Sequence, residues 1–596
     1  MLGNIIGIVE NEVLLKLAID ISKFENLINV HVIMEDGDRK LVGEIIDIKE
    51  GIAYVNLLGE IIGDKFIFGV MVKPSFSSVV KLISKEKIPM IIGVDNYREN
   101  TDIYIGTSPI YAGVKIGANI NQLFSNHFAV LGSTGSGKSC GVARIIQNIF
   151  DRKAYIPYRA SLFIFDAYGE YHNAFKNIGN NQEEISFKSY TTNLHFSETE
   201  ILRIPAWLLG VDDLALLLNA EKPSQLPIIQ KALRLVNIFA RNGGDADKHK
   251  NDIIARALLD ILSSGNPPAQ IRDQIFSVLT YYNTPELNLE TPVFQPGYTR
   301  PLKQCLLIDA SGKIREMELL TTFIQKFVQD DLKLDLPHEE VMYNLEDLEK
   351  AFEFALISEG SLNSERVYDD SNILKVRLHS LVSSDAKAYF EYDKFVTREQ
   401  YVKELLTANN GLKAQIINFN INYIDDRLAK SITKIYSKLL FDYAKDLDER
   451  ATMPFHIILE EAHRYVQNDN DIYLLGYNIF DRITKEGRKY GVLLGLISQR
   501  PSELSETSLS QCNNFLIFKM LHPTDVEYIR RMVPNITNEI VKRLRILQPG
   551  NCIAFGTAFK VPVMIKLDMP NPMPESSSCN VSGVWFVQKN KSSNIS

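Results

Sequence analysis

The sequence predicts an α/β chain: a parallel sheet with helices on both faces, interrupted by a helical insertion and preceded by a small β-barrel. The sheet is predicted by six near-continuous apolar runs, HFAVLG, SLFIFDA, AQIINFNI, FHIILEE, GVLLGLIS and NFLIFKM. Runs of that kind suit strands buried on both sides. The insertion is predicted by apolar residues recurring every three to four positions between residues 191 and 410. The barrel is predicted by short alternating runs before residue 95.

Those early runs are IIGIV, VHVIM, LVGEIIDI, IAYVNLLGEI and FIFGVMV, divided by turns such as Asp36-Gly37-Asp38 and Glu50-Gly51. Several short strands at this spacing read as a small barrel for oligomerisation or partner docking (residues 1–95). Residues 96–126 link it to the sheet. The first part of the core is placed at 96–190 and the second at 411–570. In the insertion (191–410), helical periodicity marks Leu226–Arg241, Lys250–Ser264, Arg315–Leu332 and Leu345–Ser358, with Gly243-Gly244 and Pro267-Pro268 as breaks. Residues 571–596 are rich in Pro, Ser and Asn and read as a tail. In it, VSGVWFVQ suits either a docking strand or a disordered end.

At ~100–200 residues per domain, the 596 residues allow roughly three or four domains. A net charge of −8 excludes a strongly basic outer coat but leaves room for basic residues hidden in a channel. The five cysteines, Cys140, Cys305, Cys512, Cys552 and Cys579, are sparse and form no CxxC pair, as expected of reduced thiols in a cytoplasmic protein. The first twenty residues have acidic residues early and no basic leader, and no apolar run reaches the ~18 residues needed to span a bilayer.

One segment carries specific chemistry. HFAVLGSTGSGKSCGVARIIQNIF holds G-x-x-x-x-G-K-[ST] in full: Gly132, Ser133, Thr134, Gly135, Ser136, Gly137, Lys138 and Ser139. A strand precedes it and a helix follows it, the context this phosphate loop requires. Its glycines let main-chain N–H groups point at phosphate oxygens, and the helix adds its positive end. Lys138 supplies charge to the β- and γ-phosphates and Ser139 a hydroxyl to Mg²⁺. Cys140 follows as a small residue in the first helical turn. The expected ligands are ATP and Mg²⁺.

The strand Phe455–Leu459 ends in Glu460-Glu461. Acids at such a strand end reach the nucleotide crevice. Glu460 is assigned to the metal through water and Glu461 to the attacking water; a favourable acidic pair opening a helix is the alternative. Asp166 and Glu170 are further acidic candidates, or solvated turn residues. Gln499, after the strand Leu493–Ile497, is placed to sense the γ-phosphate, or else caps the turn before Pro501. Arg488 and Lys489 suit either an arginine finger reaching a neighbouring subunit or a solvated basic turn.

HFAVLGSTGSGKS, IFDAYGEY, IILEEAHRYV, ITKEGRKYGVLLGLISQRPSEL and LQPGNCIAFGTAF together resemble the HerA-like ATPases of the HerA/FtsK group. The resemblance covers nearly the whole chain and is weakest in the helical insertion. It implies a RecA-like P-loop NTPase core, a homohexameric ring with ATP sites between subunits, and translocation on double-stranded DNA. By position it implies Lys138 and Ser139 at the nucleotide, Glu461 as the catalytic glutamate, Gln499 as sensor and Arg488 as the trans-acting arginine. Glu460 departs from the Asp common among P-loop ATPases. The family works with a separate nuclease or sirtuin-like NADase effector, in DNA-end processing or antiphage defence. An ATP-dependent scaffold that switches its effector without moving on DNA is the alternative. The basic stretch Lys542-Arg543-Leu544-Arg545 and Lys176 are weak candidates for DNA contact.

Overall fold

The computed structural model describes residues 1–586 except 21–23, 25, 95–96, 153, 179–184, 196–198, 242, 330–340, 361–364, 534–535, 537 and 576–580. Cys579 and part of the Arg315–Leu332 segment therefore lie outside the described residues.

All six apolar runs are strands, and they meet in one twelve-stranded sheet. Its spatial order is Glu200–Ile201, Phe187–Thr191, Ile416–Asn420, Leu162–Asp166, Phe455–Leu459, Val492–Ser498, Phe128–Leu131, Asn514–Phe518, Asn551–Gly556, Val563–Leu567, Asp102–Thr107 and Lys115–Asn119. The first eight run parallel and the last four add antiparallel. Residues 96–126 are thus more than a link: they supply the last two strands at one side of the sheet. Their runs, DIYIGT and KIGAN, are too short and too interrupted by glycine to stand out as strands.

The strand Phe128–Leu131, which leads into the phosphate loop, lies between Val492–Ser498 and Asn514–Phe518. All four of its residues are buried, as are all five of Leu162–Asp166 and all seven of Val492–Ser498. Burial on both faces is why these strands lack the alternation of a one-sided sheet.

The helices Leu226–Phe239, Gly244–Ser263, Pro268–Tyr281, Met317–Gln325 and Leu345–Gly360 fill the segment expected to be helical. It also holds a hairpin, Pro292–Gln295 with Tyr298–Pro301, which the sequence reading did not anticipate. A long helix, Asp426–Lys445, backs the sheet; Asp425 caps it by accepting from the N–H groups of Arg427 and Leu428.

The N-terminal strands form a curled, seven-stranded antiparallel sheet where a barrel was expected. The edge strands Gly3–Val9 and Val79–Leu82 come together at one point, Leu2 N–H donating to Val80 O at 2.7 Å, but no ladder joins them among the described residues. Val79–Leu82 has only four residues, too few to close the seam. Inside the curl sit Val13, Leu15, Val32, Met34, Leu41 and Val55. The sheet is tied to the core by Arg543, whose Nη1 donates to Glu44 Oε1 at 2.9 Å. The Lys542–Arg545 stretch therefore includes a structural ion pair, and Lys542 pairs locally with Glu539 at 3.0 Å. In the tail, Val581–Trp585 is a short helix, not a strand.

Candidate active site

The loop from Gly132 to Gly137 leaves the sheet at the carboxyl ends of the parallel strands. Gly137 has φ 99°, a left-handed conformation that disfavours side chains, and a Cβ there would meet Gly550 N at 2.9 Å. Phe518 forms the wall behind: a Cβ on Gly132 would come within 2.6 Å of its Cβ, and one on Gly141 within 2.7 Å of its ring. The segment around Gly550 closes against the loop, its N–H donating to Ser136 O at 3.0 Å. The runs NFLIFKM and LQPGNCIAFGTAF hold Phe518 and Gly550, but the sequence reading gives neither residue a place behind the loop.

Lys138 opens the helix Lys138–Phe150 and is buried, its Nζ donating to Ser133 O at 3.2 Å. Burial lowers its pKa, while Glu461, Glu460 and Glu170 work to raise it. Three acidic side chains thus surround one amine, where a phosphate would sit. Cys140 is half-buried in the first turn, while Cys305, Cys512 and Cys552 are buried; all four are free thiols.

Ser139 Oγ lies 3.4 Å from Glu460 Oε1, and Glu460 Oε2 accepts from Ala167 N–H at 3.2 Å. Burial and the neighbouring Asp166 carboxylate push the Glu460 pKa well above its ordinary value. Asp166 is fully buried and accepts from the N–H groups of Glu170 and Tyr171, both at 2.9 Å, so it fixes the turn after its strand. Glu170, half-buried, stands beside Ser139 and has a raised pKa, chiefly from burial.

Glu461 follows with φ 48° and ψ 46°, an unusual conformation for a residue with a side chain. The next residues form a tight turn, Ala462–Arg464, with Arg464 N–H donating to Glu461 O at 2.8 Å. This geometry points the two glutamates differently: Glu460 toward Ser139, Glu461 toward Lys138 and Gln499. Burial raises the Glu461 pKa, and Lys138 partly offsets it. The Gln499 backbone N–H stands near the Glu461 carboxylate and favours its charged form, and Thr134 Oγ1 donates to Gln499 Oε1. The structure therefore gathers Thr134, Lys138, Ser139, Glu460, Glu461 and Gln499 at one sheet edge. His463 and Ser498, which the sequence did not single out, border it.

Arg488 is elsewhere. It precedes the strand Val492–Ser498 and so stands at the opposite end of the sheet from the loop, exposed and beside His127. A seven-residue strand spans roughly 20 Å, so Arg488 cannot reach the site of its own chain. Lys176 is exposed after the short helix Tyr171–Phe175.

The residues fit a magnesium nucleotide. Ser136 Oγ is buried without a hydrogen-bond partner among the described residues, a donor available to phosphate. One hydroxyl and one carboxylate suit Mg²⁺, which takes most of its shell from phosphate and water. No group of three or more His, Cys, Asp or Glu among the described residues is placed to hold a metal by itself.

Residues 103–285 match the model of the family described as helicase HerA, central domain. Over these residues the chain resembles the HerA-like ATPases. It is 25% identical to the DNA double-strand break repair helicase HerA of Pyrococcus furiosus over 87% of its own length and 78% of that protein. It is 28% identical to the helicase of the same name from Saccharolobus solfataricus, over 36% of this chain and 45% of that one. Among solved structures, it is similar to the plasmid coupling protein TrwB in complex with an ATP analogue, with 12% identity, 82% and 93% coverage and a TM-score of 0.43. Among the described residues, no helix is long and apolar enough to cross a membrane.

Proposed function

We propose that this chain is a HerA-like ATPase, the subunit of a cytoplasmic homohexameric motor that hydrolyses ATP to move along, or unwind, double-stranded DNA. In this reading it works with a separate effector, a nuclease or a sirtuin-like NADase, in antiphage defence or DNA-end processing. The observation that carries the ATPase chemistry is the approach of Ser139 Oγ to Glu460 Oε1 at 3.4 Å, with Glu461 beside Lys138.

Each residue then has a task. The main chain of Gly132–Ser139 cradles the phosphates, with Cys140 in the first helical turn behind them. Lys138 holds the β- and γ-phosphates, and Ser139 and Glu460 hold Mg²⁺, Glu460 through water. Mg²⁺, when bound, supplies positive charge to the phosphate oxygens. Glu461 accepts a proton from the water that attacks the γ-phosphate. Gln499, linked to Thr134 and Glu461, reports whether the γ-phosphate is present. Arg488, too far from its own chain's site, completes the site of the neighbouring subunit.

The DNA substrate is supported by relatives named as double-strand break repair helicases. A docking role for the N-terminal sheet is supported by its exposed apolar residues, among them Ile67, Phe68, Met71, Val72 and Phe76. The test is phosphate release by the purified oligomer with and without duplex DNA, alongside displacement of a third strand annealed to the duplex. DNA-stimulated turnover with displacement supports the motor. ATPase indifferent to DNA, and activating only with an effector, overturns it in favour of the scaffold.

A further inference from the structure

The Glu461 carboxylate has the backbone N–H of Gln499 near it on one side. Its Oε2 is buried and makes no well-aligned hydrogen bond among the described residues, although His463 Nδ1 lies 3.3 Å away. The same Nδ1 lies 3.2 Å from Ser498 Oγ. Ser498 is fully buried, and its Oγ accepts from Arg500 N–H at 3.0 Å. One ring nitrogen therefore stands at hydrogen-bonding distance from two oxygens, one on the hydrolytic glutamate and one on the strand end. That strand end carries Gln499 as the next residue. Ser498, the last strand residue, faces His463, while Gln499, just past the strand, reaches Thr134 of the phosphate loop.

We propose that His463 is a positioning residue for Glu461: its Nδ1–H exchanges between Ser498 Oγ and Glu461 Oε2, and when it holds Glu461 the carboxylate is oriented toward the attacking water. Contact of Gln499 with the phosphate loop and orientation of Glu461 are thereby joined through two adjacent residues at one strand end. His463 is itself fixed: it is buried, and the Ala462–Arg464 turn, closed by Arg464 N–H to Glu461 O, places its ring on the Glu461 side. Burial lowers its pKa, with Arg500, Arg464 and Lys138 acting in the same direction and Glu503 against them. The ring stays neutral, with one N–H to give.

This inference rests on the proposed role of Glu461, so that role is measured first. Steady-state ATP turnover of the full-length oligomer is compared for the parent and Glu461→Gln; equal rates would defeat the reading of the site itself. Given a gap, His463→Leu and His463→Asn are compared, the Asn amide placing an N–H where Nδ1 stands. His463→Leu is expected to lower kcat about ten-fold to a hundred-fold, the range for one hydrogen bond to a charged group. KM and unfolding temperature should stay near the parent's, and His463→Asn should recover most of the rate. In the Glu461→Gln background, His463→Leu should cost nothing further. Parental turnover by His463→Leu, an Asn variant as slow as the Leu variant, or full additivity with Glu461→Gln would each overturn the proposal.

Discussion

Ser139 Oγ stands 3.4 Å from Glu460 Oε1, although 321 positions separate the two residues in the chain. Two strands apart in the sheet, a hydroxyl from the phosphate-loop helix and a carboxylate from the strand end Phe455–Leu459 converge on one point. If they share Mg²⁺, removing either weakens the metal more than the nucleotide base and sugar. Ser139→Ala and Glu460→Gln should each raise the Mg²⁺ concentration for half-maximal ATPase by about ten-fold or more. A magnesium titration of turnover checks this, and chelation should stop turnover in the parent.

Glu461 is buried beside Lys138 without belonging to the metal pair. Glu461→Gln keeps its shape and removes the base. Nucleotide affinity should hold within about two-fold, while single-turnover hydrolysis falls by about 10²–10⁴. Filter binding and quenched-flow phosphate release measure the two separately.

Arg488 lies at the sheet end away from its own site. Arg488→Ala alone and Glu461→Gln alone should each be slow. Rings mixed from the two should recover part of the parental rate, because an intact Arg488 on one subunit then meets an intact Glu461 on the next. No recovery across mixing ratios would remove Arg488 from the site.

His31 is buried in the N-terminal sheet, where its Nδ1 and backbone N–H both lie against the Tyr111 hydroxyl at 2.8 and 2.7 Å. The tyrosine oxygen accepts from the backbone and its O–H donates to a neutral ring. Burial lowers the His31 pKa from 6.5 to about 4. The unfolded chain therefore binds the extra proton first, and stability is full above pH 6.5 and lost as pH falls toward 4, by about 3 kcal/mol. His127, also lowered to about 4, adds the same sign. Denaturant unfolding at pH 7, 5.5 and 4.5 should follow this slope, and His31→Gln should flatten it.

Arg543 and Glu44 join the N-terminal sheet to the core at 2.9 Å, and burial raises the Glu44 pKa against the opposing pull of Arg543. Arg543→Ala leaves a buried carboxylate unpaired and should cost about 3 kcal/mol. The loss should appear as faster amide exchange in residues 31–57, with the phosphate loop protected as before.

The parallel sheet was legible because strands buried on both faces leave unbroken apolar runs, as in GVLLGLIS. The phosphate loop was legible because its glycines answer to backbone geometry; Gly137 has no room for a side chain. Curvature of the N-terminal sheet was less so. Whether seven strands close depends on the length of a four-residue edge strand, Val79–Leu82, and on bulges near Ile5 and Val42, neither of which alternation records. His463 and Ser498 were invisible because their relation arises only when two strands lie side by side. Asp166 was visible as an acid at a strand end, but its burial and its two backbone donors belong to the turn that follows it.

The most direct measurement is retention of labelled ATP with Mg²⁺ by the purified oligomer, followed by release of labelled phosphate, in the parent, Lys138→Ala and Glu461→Gln. The account predicts retention and release in the parent, neither in Lys138→Ala, and retention without release in Glu461→Gln. Release at the parental rate from either variant would contradict it.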